Sequence, residues 1–429
     1  MAKRLYSFSN YFWYAAGTGL MLLTPLAVTI VLNRTGSPED VGLYAFAYAV
    51  TAPMQAFLGM HARTFIAIDR LYGHDAVDVA AQRLHMAVGL LLGTGLVAAA
   101  RGFAWQEVAV LAVMCLVRTA DSFAEVSAGV MQHRHRPELI ALAYGVRAVT
   151  AIGIFAWFYR EGVGLAVALA AMAGASLTVF ILLDRPALAR IGVPLSWSRM
   201  IESAASRRPF RLFRRLLPAA LVLLLSVVET NLPRYTVEGV VGLVELGIFT
   251  SLSFVLYAGT NLIVPVYQMT IAPLGQWAAR GDAIGARHAT HIVVVNLLIT
   301  ATAGAALVVA VALVGTHVMV WALGPHYADQ GPLLMALGTA AAVGMIRSCL
   351  GFVLTGLDAI RALSAMSIGN MVLFGIVVYA GSGGEDVVGI AWAWTVASAT
   401  TAIAGLLVAA GRLLRLWRGS PLVVGTQEI

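Results

Sequence analysis

Three arginines lie deep inside apolar stretches of this sequence, and they define the chemistry open to it. Arg118 shares its stretch with Asp121, Ser122 and Glu125, so on a helix all four occupy one face. Arg147 and Arg347 have no acid within a helical turn; Asp358 is the first carboxylate after Arg347. A guanidinium keeps its charge when buried and offers a planar fork of donors that can grip a phosphate through two bonds. Arg118, Arg147 and Arg347 are thus candidates for contact with an anionic ligand. For Arg118 the competing reading is a self-neutralised face, paired with Asp121 or Glu125. Arg347 needs a partner from elsewhere, either Glu229 or a ligand.

Glu229 and Asn231 lie in another apolar stretch, with Arg234 towards its end. Glu229 reads equally as an ion-pair partner of Arg234 or Arg347 and as a switch that takes up and releases a proton. Arg234 reads first as an interfacial anchor, with ligand binding as the alternative. Asp121, Glu125 and Glu229 are the candidates for coupling to H+ or Na+. His61 and Arg63 mark the rim of a span rather than a site. Cys115 and Cys349 sit in apolar runs and read as small core residues, without disulfide or metal-ligand spacing. The nine His are scattered. No Gly-rich phosphate loop, Walker motif or nucleophile elbow is present, so neither catalysis nor a cofactor is expected.

These charges need elements that hold them away from water. Apolar residues make up 60% of the chain and charged ones 11%, with a mean hydropathy of +0.85. A soluble chain has about 45–50% and 25%. Most of the surface must therefore face lipid. About 20 apolar residues cross a bilayer as a helix. Twelve stretches qualify, near 11–32, 41–62, 80–100, 105–129, 138–158, 163–183, 216–237, 243–272, 289–314, 332–356, 362–381 and 387–411. The first is too long for a signal-peptide core and lacks a cleavage site after it, so it reads as an uncleaved span. Arg118, Arg147 and Arg347 fall roughly 13–23 Å from their starting interfaces at 1.5 Å per residue. A charge at that depth costs about 2.5–3.5 kcal/mol on insertion scales, which favours a cavity or a partner. Pro25, Pro53, Pro218, Pro233, Pro265 and Pro273 are candidate kinks. The aromatics Tyr6, Phe8, Tyr11, Phe12, Trp13 and Tyr14 read as an interfacial belt.

Lys and Arg orient the array. With the N-terminus cytoplasmic, inside segments hold 21 of the 28 basic residues and outside segments four: Arg34, Arg101, Arg160 and Arg234. Both termini are then cytoplasmic. The formal charge of +7 and pI near 9.6 need no nucleic acid to explain them. The polar segment 185–215 divides the spans into a six-helix lobe at 1–184 and another at 216–429. An offset of 205 residues superposes Asp40-Val41-Gly42-Leu43-Tyr44 on Glu245-Leu246-Gly247-Ile248-Phe249. Six spans per repeat give both lobes the same orientation. The expected fold is an all-α polytopic membrane protein of about 12 transmembrane helices, its two lobes related by a parallel pseudo-two-fold axis with a substrate path between them.

Several motifs also resemble one family. Asn33-Arg34-Thr35-Gly36 ends the first span and Pro38-Glu39-Asp40-Val41-Gly42-Leu43-Tyr44 opens the second. With Glu245-Leu246-Gly247-Ile248-Phe249 and Thr355-Gly356-Leu357-Asp358, they resemble the polysaccharide-export branch of the multidrug/oligosaccharidyl-lipid/polysaccharide (MOP) flippase superfamily, nearest its O-antigen flippases. The resemblance implies an alternating-access flippase in the bacterial inner membrane, moving an undecaprenyl-diphosphate-linked oligosaccharide and coupled to an H+ or Na+ gradient. Its partners would be that lipid-linked glycan, membrane lipids and other polysaccharide-assembly proteins. The alternatives are a multidrug or major-facilitator-type exporter and, from another class, a membrane-bound glycan polymerase or transferase. For that enzyme the loop 315–331 offers only His317, His326 and Asp329.

Overall fold

The computed structural model describes residues 8–60, 62–67, 75–261, 263–380 and 386–418. Lys3, Arg4, Tyr6, His61 and Arg70 lie outside the described residues, as do the side chains of Phe8, Tyr11, Phe12 and Tyr14; Trp13 is exposed. The chain forms two compact units, residues 1–228 and 229–429.

The first unit is built from α1 (Phe8–Thr35), α2 (Pro38–Gly59), α3 (Ala62–Ala67), α4 (Ala76–Arg101), α5 (Trp105–His133) and α6 (Pro137–Arg160). α7 (Leu165–Val179) then runs through a π-helical turn, Phe180–Asp184, into α8 (Arg185–Arg190), and α9 (Trp197–Ala205) follows. α10 (Arg208–Val240) begins in this unit, and the division falls within it. The second unit continues with α11 (Leu243–Asn261), α12 (Val264–Ala279) and α13 (Ala283–Ala310). A second π-helical turn, Val311–Gly315, carries α13 into α14 (Thr316–Leu323). α15 (Gly331–Gly356), α16 (Ile360–Ala380) and α17 (Val387–Trp417) complete it.

Local sequence sets the helix starts. Ser37 Oγ accepts the Asp40 amide at 3.2 Å, with Pro38 opening α2. Asp75 and Asp78 cap α4 reciprocally, and Glu107 Oε2 accepts the Ala104 amide at 2.8 Å before α5. Asp282 caps α13 through the Gly285 amide at 2.6 Å. The Arg280 guanidinium, and then that amide, hold the Asp282 carboxyl below the usual carboxylate range.

Within the described residues, each of the twelve expected stretches falls largely on helix. Among the described residues nine helices are long and apolar enough to cross a membrane, and shorter apolar helices cover Gly19–Thr35 and Leu243–Tyr257. α5 is 29 residues long but carries Arg118, Asp121 and Glu125. Three details depart from expectation. The second span is broken between α2 and α3, where Met60 adopts φ 55°, while Pro53 lies inside α2. The expected loop at 315–331 is largely helical, because α13 runs on through its π-helical turn. Segment 185–215 is no free linker either: Leu188, Leu195, Met200 and Leu212 join the core of the first unit.

Small residues permit close helix approach. A Cβ on Gly17 of α1 would stand 2.7 Å from Ala141 Cα of α6, whereas one on Gly19 would meet nothing within 4 Å. Gly→Ala within a helix normally stabilises by about 0.5–1 kcal/mol. Gly19→Ala should therefore raise the melting temperature of the purified protein. Gly17→Ala should lower it, since overpacking costs about 1–3 kcal/mol. A rise in both would show that α1 and α6 are not in such contact.

Candidate functional site

In the first unit, Arg118 is 7% exposed. Its Nε donates to Thr51 Oγ1 and its Nη2 to the Tyr48 carbonyl, each at 3.1 Å. The guanidinium lies over the Tyr48 ring, 3.9 Å from its centroid, within the range of a cation–π contact. Tyr48 and Thr51 occupy one face of α2, three residues apart, and that face brings neutral oxygens and a π surface to α5. Among the described residues no carboxylate comes within ion-pair distance of Arg118. The expected alternative of direct pairing with Asp121 or Glu125 is therefore not what this structure shows. Asp121 and Glu125 are half-buried; Asp121 feels the fields of Arg118 and Arg147, and Glu125 that of Arg83. Ser122 is wholly buried and donates to the Thr119 carbonyl at 2.7 Å.

Arg147 has no acid within a helical turn, yet its Nη2 lies 2.7 Å from Asp184 Oδ2, 37 residues on, with both side chains almost fully buried. A π-helical turn adds one residue to the helical repeat and changes which side chains face inward. Asp184 closes that turn and is 0% exposed. In this structure Arg147 is therefore paired with a buried protein carboxylate.

Arg83, one of the 21 basic residues assigned to the inside, is also a buried charge. α4 begins at Ala76, so Arg83 lies in its second turn and is 0% exposed. It donates to the Gly59 carbonyl at 3.0 Å, at the end of broken α2, and to Gln82 Oε1 at 3.3 Å. The available signal was the polar run Asp78, Gln82 and Arg83 just ahead of the apolar part of the third span.

In the second unit, Glu229 of α10 accepts hydrogen bonds from Arg347 of α15 and, at 2.9 Å, from Asn370 Nδ2 of α16. Ser398 Oγ of α17 donates to Asn370 Oδ1 at 3.5 Å. Four helices thus meet in one buried polar network. Asn370 was missed, and its isolation in the apolar eleventh span was the only hint. Arg347 thus takes the first of its two expected partners, the Glu229 carboxylate. The side chain of Arg347 remains 16% exposed and its Nε lacks a hydrogen-bond acceptor. Arg234 is 8% exposed, donates to Asn231 Oδ1 at 2.7 Å and lies over the Phe254 ring. Its side chain is buried within the protein.

Cys115 and Cys349 are both buried, and Thr94 Oγ1 lies 3.3 Å from Cys115 Sγ. Among the described residues no cluster of three or more His, Cys, Asp or Glu side chains could hold a metal ion. His326 lies against the Tyr327 ring.

No protein-family model matches the chain. It is similar to a capsular polysaccharide biosynthesis protein, CapF, of Staphylococcus aureus, with 23% identity over 251 residues. That match covers 58% of this chain and 61% of the relative, so the chain spans less than two thirds of the relative's length. Among solved structures, an inward-facing multidrug resistance MATE family transporter of the MOP superfamily superposes with a TM-score of 0.75 at 16% identity, over 93% of this chain and 96% of that one. An outward-facing structure of such a transporter gives 0.64 at 18% identity, over 95% of each chain. A MOP superfamily transporter from Pyrococcus furiosus, described as having a binding pocket of reversed polarity that suggests a different function, gives 0.65 at 14% identity, over 94% of each chain. The chain is a multi-pass membrane protein with the MATE/MOP transporter fold.

Proposed function

We propose that this protein is a flippase for an anionic lipid-linked oligosaccharide, of the undecaprenyl-diphosphate type, in the bacterial inner membrane with both termini cytoplasmic. The observation that carries the reading is Arg118. A permanent cation is buried in a membrane helix, oriented by a carbonyl, a hydroxyl and an aromatic ring, with no described carboxylate in contact. Such a charge is costly unless an anion arrives. A diphosphate supplies one and accepts from the remaining guanidinium donors. In the second unit, Arg347 is a separate candidate that would exchange Glu229 for phosphate, and Arg234, five residues after Glu229 on α10, is another. Asp121, Glu125 and Glu229 are the groups for H+ or Na+ coupling. The polysaccharide-biosynthesis relative supports the glycan part of the proposal, and the MOP fold supports transport.

Multidrug export is the second reading, favoured by the multidrug transporters among the structural neighbours. The purified protein in proteoliposomes separates the two. A fluorescent prenyl-diphosphate sugar should cross the bilayer at least about tenfold faster than in protein-free vesicles, and ethidium should not. Protein-dependent ethidium movement without movement of the diphosphate would reverse the assignment.

A further inference from the structure

The chain's net charge is concentrated in one place. Segment 185–215 contains eight of the 28 basic residues, all Arg, and one of the 21 acidic ones, Glu202. The rest of the chain holds twenty of each, so the whole formal charge of +7 resides in these 31 residues.

The structure sorts that charge onto a surface. At the start of α10, Pro209, Leu212, Leu216 and Ala220 are buried, the last three in the core of the first unit. Arg207, Phe210, Arg211, Arg214 and Arg215 recur at i, i+3, i+4, i+7 and i+8, all exposed on the opposite face. Phe210 is 68% exposed. Farther along the same face the exposed residues become Pro218, Leu221 and Val222, as befits contact with hydrocarbon. The stripe therefore ends where the acyl region begins. Its length, about 12 Å at 1.5 Å per residue, extends outward through the headgroup layer. α9 lies beside it, tied to α4 by Ser203 Oγ donating to Asp78 Oδ1 at 2.6 Å. It adds exposed Trp197 and Ile201, four residues apart on one side.

We infer that the start of α10, flanked by α9, is a docking surface for anionic phospholipid headgroups of the adjoining leaflet. Charge complementarity identifies the occupant: guanidinium groups alternate with exposed apolar side chains, on a face continuous with the lipid-facing side of a membrane span. Arg207, Arg211, Arg214 and Arg215 hold phosphates of the bilayer surface, while Phe210 inserts beside the acyl chains. The bound lipid steadies the docked α9 and the entry of α10. This inference rests on the fold and the charge pattern and stands whatever the cargo.

The test uses the full-length protein in neutral detergent, titrated with phosphatidylglycerol or phosphatidylcholine and followed by native mass spectrometry and by Trp fluorescence. Wild type should bind phosphatidylglycerol in preference, and raising the salt from 0.1 to 1 M should abolish the preference. Each Arg near an anionic surface contributes about fivefold in affinity, so the combined variant R207Q/R211Q/R214Q/R215Q should lose about a hundredfold or more. The corresponding four Arg→Lys substitutions should retain most of it, because a headgroup layer accepts a point charge. Equal binding of the two lipids by wild type, or a salt-insensitive preference, would overturn the inference and leave an acidic protein as the occupant. So would unchanged phosphatidylglycerol binding in the fourfold Gln variant. The salt dependence of wild type decides the matter even if that variant fails to fold.

Discussion

Arg118→Met is expected to slow translocation of a prenyl-diphosphate sugar by about tenfold to a hundredfold, the value of a charge-assisted hydrogen bond to phosphate, without lowering stability. Removing Arg118 orphans none of its partners. Thr51 Oγ1 still donates to the Ala47 carbonyl at 2.7 Å and reaches the Tyr48 carbonyl at 3.3 Å. A neutral side chain of similar length also relieves the fold of a buried charge without a contacting carboxylate, so the melting temperature should hold or rise. Arg118→Lys should recover only part of the rate. It restores the charge but loses the planar group that stacks on Tyr48 and donates to two oxygens at once. Initial rates in proteoliposomes and melting curves on the same preparations provide both numbers. Wild-type translocation by Arg118→Met would remove the arginine from the transport path.

The fold was largely legible because its signals are local or periodic. Apolar runs of span length placed twelve helices, and the 205-residue offset reappears in the structure. α2 starts at Pro38 and α11 at Leu243, while α1 ends at Thr35 and α10 at Val240. The offset even echoes the break in the second span, since α11 gives way to α12 after Asn261 much as α2 gives way to α3 after Gly59. No glycine or proline stands at the turning position itself, since the chain turns at Met60 in a left-handed conformation. The buried charges were legible as charges but not as pairs. Arg147 and Asp184 are 37 residues apart, and Arg347 and Glu229 are 118 apart. Their meetings depend on which helices pack together. In the case of Asp184, they also depend on a π-helical turn that no hydrophobic periodicity announces.

The same reasoning makes Asp184 the position most sensitive to single substitution. Asp184→Ala leaves the Arg147 guanidinium at 1% exposure without its carboxylate, and its Nε and Nη1 already lack acceptors. Breaking a buried pair from one side costs about 3–5 kcal/mol, whereas exchanging both partners for apolar groups of similar volume is often neutral or better. Asp184→Ala should therefore lower the melting temperature sharply or prevent recovery of monodisperse protein. Arg147→Met combined with Asp184→Leu should restore most of the loss. A double-mutant cycle should give a large coupling between the two positions, since they touch and share no role with distant sites. The rescued double variant should also translocate at close to the wild-type rate, because the buried pair joins α6 to the π-helical end of α7. A double variant that is stable yet inactive would place Arg147 in the transport path. An Asp184→Ala protein as stable as wild type would mean that the pair is not buried as described.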